Sequence, residues 1–232
     1  MNDNDRNDLN WRDEESGDPN QRDGRSPWLE LWVHPRQVTR WFLRSTEPLK
    51  NALPLALLAA VFGAFNTASS SNWGDDSSVI GMIFRILITG LISGLAGYYI
   101  GAPLLRWVGS WFGGEGTTDD MKVVIGQIAS RASILLGLLL IPELLIAGKE
   151  LFTSATPQLD AEPIRAAGLS FLLILEAALG LWLFIVSLQS IGEAHGFSAW
   201  KALAVELILI VAAFVVVFIF AMIVLAVFST PF

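Results

Sequence analysis

Two residues with chemical potential stand in the stretch I-G-E-A-H-G-F-S-A-W at 191–200: Glu193 and His195, bracketed by Gly192 and Gly196. Carboxylate and imidazole groups suit zinc or a similar ion. His34, in W-V-H-P-R at 32–36, and Glu115, in F-G-G-E-G-T-T-D-D at 112–120, could complete such a set only if distant stretches meet. Glu193 and His195 are two positions apart, which is not the i,i+4 spacing that puts two ligands on one helical face. They are expected to form hydrogen bonds or caps in a short turn, and no metal or other cofactor is expected. The loop Gly113, Gly114, Glu115, Gly116 lacks the G-K-[ST] ending of a phosphate-binding loop, and Glu115, Asp119 and Asp120 would repel phosphate. There is no cysteine, and no nucleophile–base, phosphate-loop or zincin motif appears. The chain is therefore not expected to be an enzyme.

A second set of ionisable residues lies inside apolar runs: Arg85, Arg131, Glu143, Glu176 and Glu206. Charges at membrane depth are costly and default to functional hypotheses. At about 1.5 Å per helical residue, Arg131 lies ~12 Å and Glu206 ~6 Å from one membrane surface. On the same scale Arg85 lies ~9 Å and Glu143 ~6 Å from the other surface, with Glu176 ~15 Å in. These depths permit the pairs Arg131–Glu206 and Arg85–Glu143, which would fix helix register. Glu176 has no obvious partner and marks the place where a polar path would run.

Helices must hold these groups. The chain has 232 residues, of which 53% are hydrophobic and 16% charged. That is far below the roughly 25% charge of soluble domains. Five apolar segments are long enough to span a bilayer, at about 52–69, 79–101, 123–147, 166–190 and 202–228. The fold expected is all-α: a polytopic membrane protein, a bundle of five transmembrane helices within 51–232. Gly90, Gly94, Gly97 and Gly101 fall on one side of the second span and let another helix approach closely. That close approach is expected inside the bundle, with a homo-oligomer seam as the alternative.

Residues 1–26 hold eight acids and four arginines and read as a disordered, cytoplasmic, acidic tail. That acidity argues against nucleic-acid binding. In 27–50, Arg36, Arg40 and Arg44 recur every four residues, opposite Val38, Trp41 and Phe42. A basic face opposite an aromatic one predicts an amphipathic helix lying in the membrane surface. Counting Lys and Arg outside the spans gives eleven on the N-terminal side and two on the other. The excess places the N-terminus in the cytoplasm and the C-terminus outside. Trp28, Trp32, Trp41, Trp107, Trp111 and Trp200 fall near the same inner surface.

This orientation gathers His34, Pro35 and Arg36, then Gly113 to Gly116, then Glu193, His195 and Gly196 onto one candidate cytoplasmic surface. At this point the chain resembles the YIP family, the Ypt/Rab-interacting membrane proteins, and in particular its bacterial branch. The resemblance covers about residues 28–228. It rests on a Trp-containing segment ending in P-R, on the G-G-x-G-T loop, and on a W-x-x-x-x-x-x-Q-x-x-G-E-x-H-G-F-S stretch from Trp182 through Gln189 to Ser198. It implies a five-helix fold with a cytoplasmic N-terminus in a bacterial inner membrane. Eukaryotic relatives bind small GTPases, but the acidic tail carries no matching feature, so a GTPase partner does not follow. The function expected is non-enzymatic: organising membrane or binding partners through the cytoplasmic face. Its partners would be membrane lipids, other membrane proteins or further copies of itself. The alternative is a small transporter, channel or lipid-moving protein with a polar path near Glu176.

Overall fold

The computed structural model describes residues 26–229. The segment read as an acidic tail lies outside the described residues except for Ser26. Every regular element among the described residues is helical. Two short helices come first, α1 (Pro27–Glu30) and α2 (Pro35–Arg44), each with proline in its first turn, where a missing N–H costs nothing. Then come α3 (Ala52–Ser70), the short α4 (Trp73–Asp76) and α5 (Val79–Trp111). α6 (Thr118–Phe152), the short α7 (Pro157–Ala161), α8 (Pro163–His195) and α9 (Ala199–Ser229) complete the chain. Helices α3, α5, α6, α8 and α9 are long and apolar enough to cross a membrane.

Three of these helices, α5, α6 and α8, run well past the apolar runs that predict them, because helical backbone continues into polar sequence beyond the hydrocarbon layer. α6 starts at Thr118 because Thr117 and Asp120 form a capping box: each side chain takes a backbone N–H of the other residue. α8 continues through Glu193 to His195 and stops where Gly196 turns left-handed at φ 72°. The first half of the stretch expected to be a turn between spans is therefore the end of α8, and only residues 196–198 connect it to α9.

α3 is packed between α5 and α6, and α8 contacts α2, α6 and α9. Of the four glycines in the second span, Gly90 and Gly94 make the close approach. A β-carbon on Gly90 would stand 2.7 Å from the Val61 backbone of α3, and one on Gly94 would stand 3.0 Å from Ala60. Gly97 has open space on that side, and Gly101 reaches only the tip of Ile125. The four do not act as one seam, because Gly97–Gly101 is a π-helical turn that resets the phase of α5. Pro103 follows it after Ala102 and cannot donate to the preceding turn.

The apolar face of α2, the helix expected in the membrane surface, packs on the protein itself. Val38 and Phe42 are buried, with Leu31, against Val123, Ile128 and Ala132 of α6 and Val186 of α8. The helix lies on the protein's own end with its arginines at the rim. Elsewhere the long helices turn large apolar side chains outward, including Ile80, Phe84, Ile164, Phe171 and nearly all of α9 between 210 and 225. Such a surface is far larger than water tolerates on a monomer and is what lipid requires.

Candidate functional site

The three singled-out stretches meet at one end of the bundle, around the last turn of α8. Two positions along a helix turn a side chain by about 200°, so Glu193 and His195 leave α8 on opposite sides. Glu193 faces α2. Its carboxylate accepts from Arg40 Nε at 2.7 Å and lies 3.8 Å from Arg36 Nη1. The hydrogen bond and charge of Glu193 hold the Arg40 guanidinium above its ordinary pKa. The arginine spacing of α2 is thus used for docking on α8 as well as for solvation.

His195 faces inward and is 1% exposed. Its ring stacks on Phe197 at 5.0 Å. Three glycines form the rest of its seat. A β-carbon on Gly109 would stand 2.3 Å from Nε2, one on Gly114 2.5 Å from Nδ1, and one on Gly116 2.9 Å from Nδ1. No larger residue fits without moving the ring. Neither ring nitrogen makes a hydrogen bond of ordinary geometry among the described residues. The His195 carbonyl accepts from Glu115 N at 3.1 Å, tying the loop to the helix end, and Lys201 Nζ donates to the Phe112 carbonyl at 3.0 Å.

The proposed surface set is therefore a joint with an inside and an outside. His195, Pro35 and Gly116 are buried, and Arg36, Gly114 and Glu193 are half-buried. His34, Gly113, Glu115 and Gly196 are exposed. Glu193 turns to the arginines and His34 sits exposed at the start of α2, so these four groups do not converge on an ion. Among the described residues no three His, Cys, Asp or Glu side chains come together as a metal set would need. Gly109, which shapes the seat as much as the loop does, was not among the candidates. A lone glycine in an apolar helix gives no local signal of what it faces.

The intramembrane charges take partners other than those their depths suggested. The Arg85 guanidinium lies over the Trp73 ring at 3.8 Å, not against Glu143. Arg131 donates to the carbonyl and side-chain oxygen of Gln127 and lies 4.7 Å from the Phe42 ring centre. Gln127 in turn donates to the carbonyls of Pro48 and Lys50, so it clamps the connection between α2 and α3. Glu206 lies in an apolar groove between α5 and α9, beside Leu104, Trp107 and Trp111. Depth fixes only one coordinate of a side chain; the rotation of each helix decides the neighbour.

Glu143 and Glu176 instead line one cavity of about 290 Å³ between α3, α6 and α8. From α3 come Phe62, Phe65, Asn66, Ser69 and Ser70, spaced as one helical face. Asn66 Nδ2 donates to Glu176 Oε1 at 2.7 Å. α6 is broken here: Leu138 and Leu139 form a turn because Pro142 has no N–H to give the Leu138 carbonyl. Glu143 follows that proline and is 5% exposed, and its Oε1 has no hydrogen-bond partner among the described residues. Asn66 and Pro142 were missing from the candidates, yet they shape this cavity.

In comparisons with known proteins, the family model described as the Yip1 domain matches residues 29–224. No curated protein and no solved structure matches the chain.

Proposed function

The chain belongs to the Yip1-domain family of membrane proteins, and on that premise we propose that it works by interaction rather than by chemistry. In this reading it organises membrane or membrane-protein partners through the end of the bundle built by α2, the 112–117 loop and the end of α8. The observation that carries it is the docking of α2. The Arg36 and Arg40 contacts with Glu193 and the burial of Val38 and Phe42 hold the three stretches as one face. That face keeps His34, Gln37, Arg44 and Glu115 exposed around a packed interior. Interaction surfaces of this kind recognise shape and charge and need no reacting group. The face is cytoplasmic by the distribution of Lys and Arg, and the membrane is a bacterial inner membrane by the resemblance to the bacterial branch.

The test is a photo-crosslinking residue at Gln37 in the full chain, in its native membrane. We expect discrete adducts that disappear when Glu193→Arg undocks α2, while expression and membrane insertion persist. Adducts unchanged by Glu193→Arg would overturn the reading.

The cavity at Glu143 and Glu176 favours a second reading, a small transporter, channel or lipid-moving protein. Proteoliposome flux that falls on Glu176→Gln would support it, and absence of flux in the unmodified protein would remove it.

A further inference from the structure

The cavity between α3, α6 and α8 has a chemical composition independent of the docking joint. Two carboxylates, Glu143 and Glu176, border it at membrane depth. Glu176 is held by Asn66, whose amide uses an N–H for that bond and leaves its carbonyl oxygen as a further acceptor. Glu143 is buried to 5% exposure and keeps one oxygen without a partner beside the empty volume. A buried acceptor left unmatched costs about 1–3 kcal/mol, more when it is charged. Retaining two acids here without a matching cation or proton is therefore unfavourable. Among the described residues, no guanidinium or ammonium lines the cavity. Arg85, the cation expected to answer Glu143, is taken up by Trp73.

The remaining lining narrows the class of cation. A bare metal ion needs a tight shell of oxygens at about 2.0–2.6 Å, and about 290 Å³ is much larger than such a shell. The α3 wall that carries Asn66 also carries the rings of Phe62 and Phe65, and ring faces attract ammonium groups and pack against alkyl carbons. Carboxylate and amide oxygens together with aromatic rings in one lining match an ion with N–H donors and a short hydrocarbon part.

We propose that the Glu143–Glu176–Asn66 cavity is a binding site for a small organic ammonium ion. Its N–H groups would be taken by the Glu143 and Glu176 carboxyls, one of which keeps its own proton, and its alkyl part would lie on Phe62 and Phe65. The site is a matter of binding and stands whether or not the ligand is carried across the membrane, so its failure leaves the interaction reading of the opposite end untouched.

Calorimetry on the purified full chain in lipid nanodiscs tests this, with methylammonium and ethylammonium chloride as probes and sodium chloride as the matched salt. Saturable binding of both ammonium ions is expected, with no competition by sodium. Glu143→Gln and Glu176→Gln are each expected to weaken binding by roughly ten-fold or more, while Glu206→Gln, in the other groove, leaves it unchanged. Should Glu143→Gln fail to fold, difference infrared spectra of the unmodified protein carry the test through carboxyl bands that shift on adding methylammonium and shift less in Glu176→Gln. Absence of saturable binding, binding that survives Glu176→Gln unchanged, or a response to sodium that excludes the ammonium ions would each overturn the proposal.

Discussion

At the scale of single residues, His195 and its glycines form a unit in which size is the controlling variable. The ring is walled by Gly109, Gly114 and Gly116 at distances no β-carbon tolerates. Gly109→Ala should therefore cost about 1–3 kcal/mol by overpacking, and His195→Ala about 2–4 kcal/mol by leaving a hole. The two changes should compensate in part, because removing the ring makes room for the methyl group. Unfolding measurements on the two single variants and the double variant would give a coupling of about 1 kcal/mol or more in favour of the double; strict additivity would show that the ring and Gly109 do not share the space. The sequence made His195 and the G-G-E-G loop visible as unusual residues. It could not make visible that the imidazole is a packing element. A histidine between two glycines reads as a turn, whereas α8 in fact runs on to it and the chain leaves the helix only from Gly196 on.

At the scale of elements, apolar runs located all five long helices, since hydrocarbon length imposes a minimum run that no other pressure mimics. Their ends escaped because polar residues outside the bilayer, such as Gln189 and Glu193, remain helical once tertiary contacts hold them. The glycines of α5 illustrate a related blind spot. Their spacings of four, three and four keep one face by the count of an α-helix, yet the π turn at Gly97–Gly101 separates them into packed and unpacked halves. Gly90→Ala should destabilise the α3–α5 contact by about 1–3 kcal/mol. Gly97→Ala should be neutral or stabilising by up to ~1 kcal/mol, because alanine restricts the backbone without meeting a neighbour. Thermal unfolding in one detergent, with both variants side by side, checks the order; a larger loss at Gly97 would show that a partner outside the chain occupies that face. Pro142 carries the same lesson for α6, since a proline marks a break but not the cavity that the break opens beside Glu143.

At the scale of the whole molecule, the two ends of the bundle differ in kind. One end is the α2 joint with its arginines and the exposed Trp107, Trp111 and Trp200; the other is closed by Trp73, Leu151, Phe152 and Leu159. Basic residues and indoles together suit the cytoplasmic interface of a bilayer. A phosphatase reporter fused after Phe232 should accordingly be active on the far side of the membrane; an inactive, cytoplasmic reporter at normal expression would reverse the assignment of the two ends.

The docking of α2 also sets an order of events. Arg40 and Glu193 are 153 positions apart in sequence, so the contact does not exist until α8 has been synthesised. A chain emerging from the ribosome therefore carries α2 with Val38 and Phe42 uncovered beside a newly inserted α3 until α6 and then α8 are made. The nearest apolar phase is the bilayer surface, and the helix has the basic rim and aromatic face to rest there. Lipid would thus serve as a temporary partner that α6 and α8 later displace. A chain ended after Trp111, before α6, should hold spin labels at Val38 and Phe42 at headgroup depth, while the full chain should withdraw them from lipid contact. Equal lipid exposure in both would mean that α2 never changes partner.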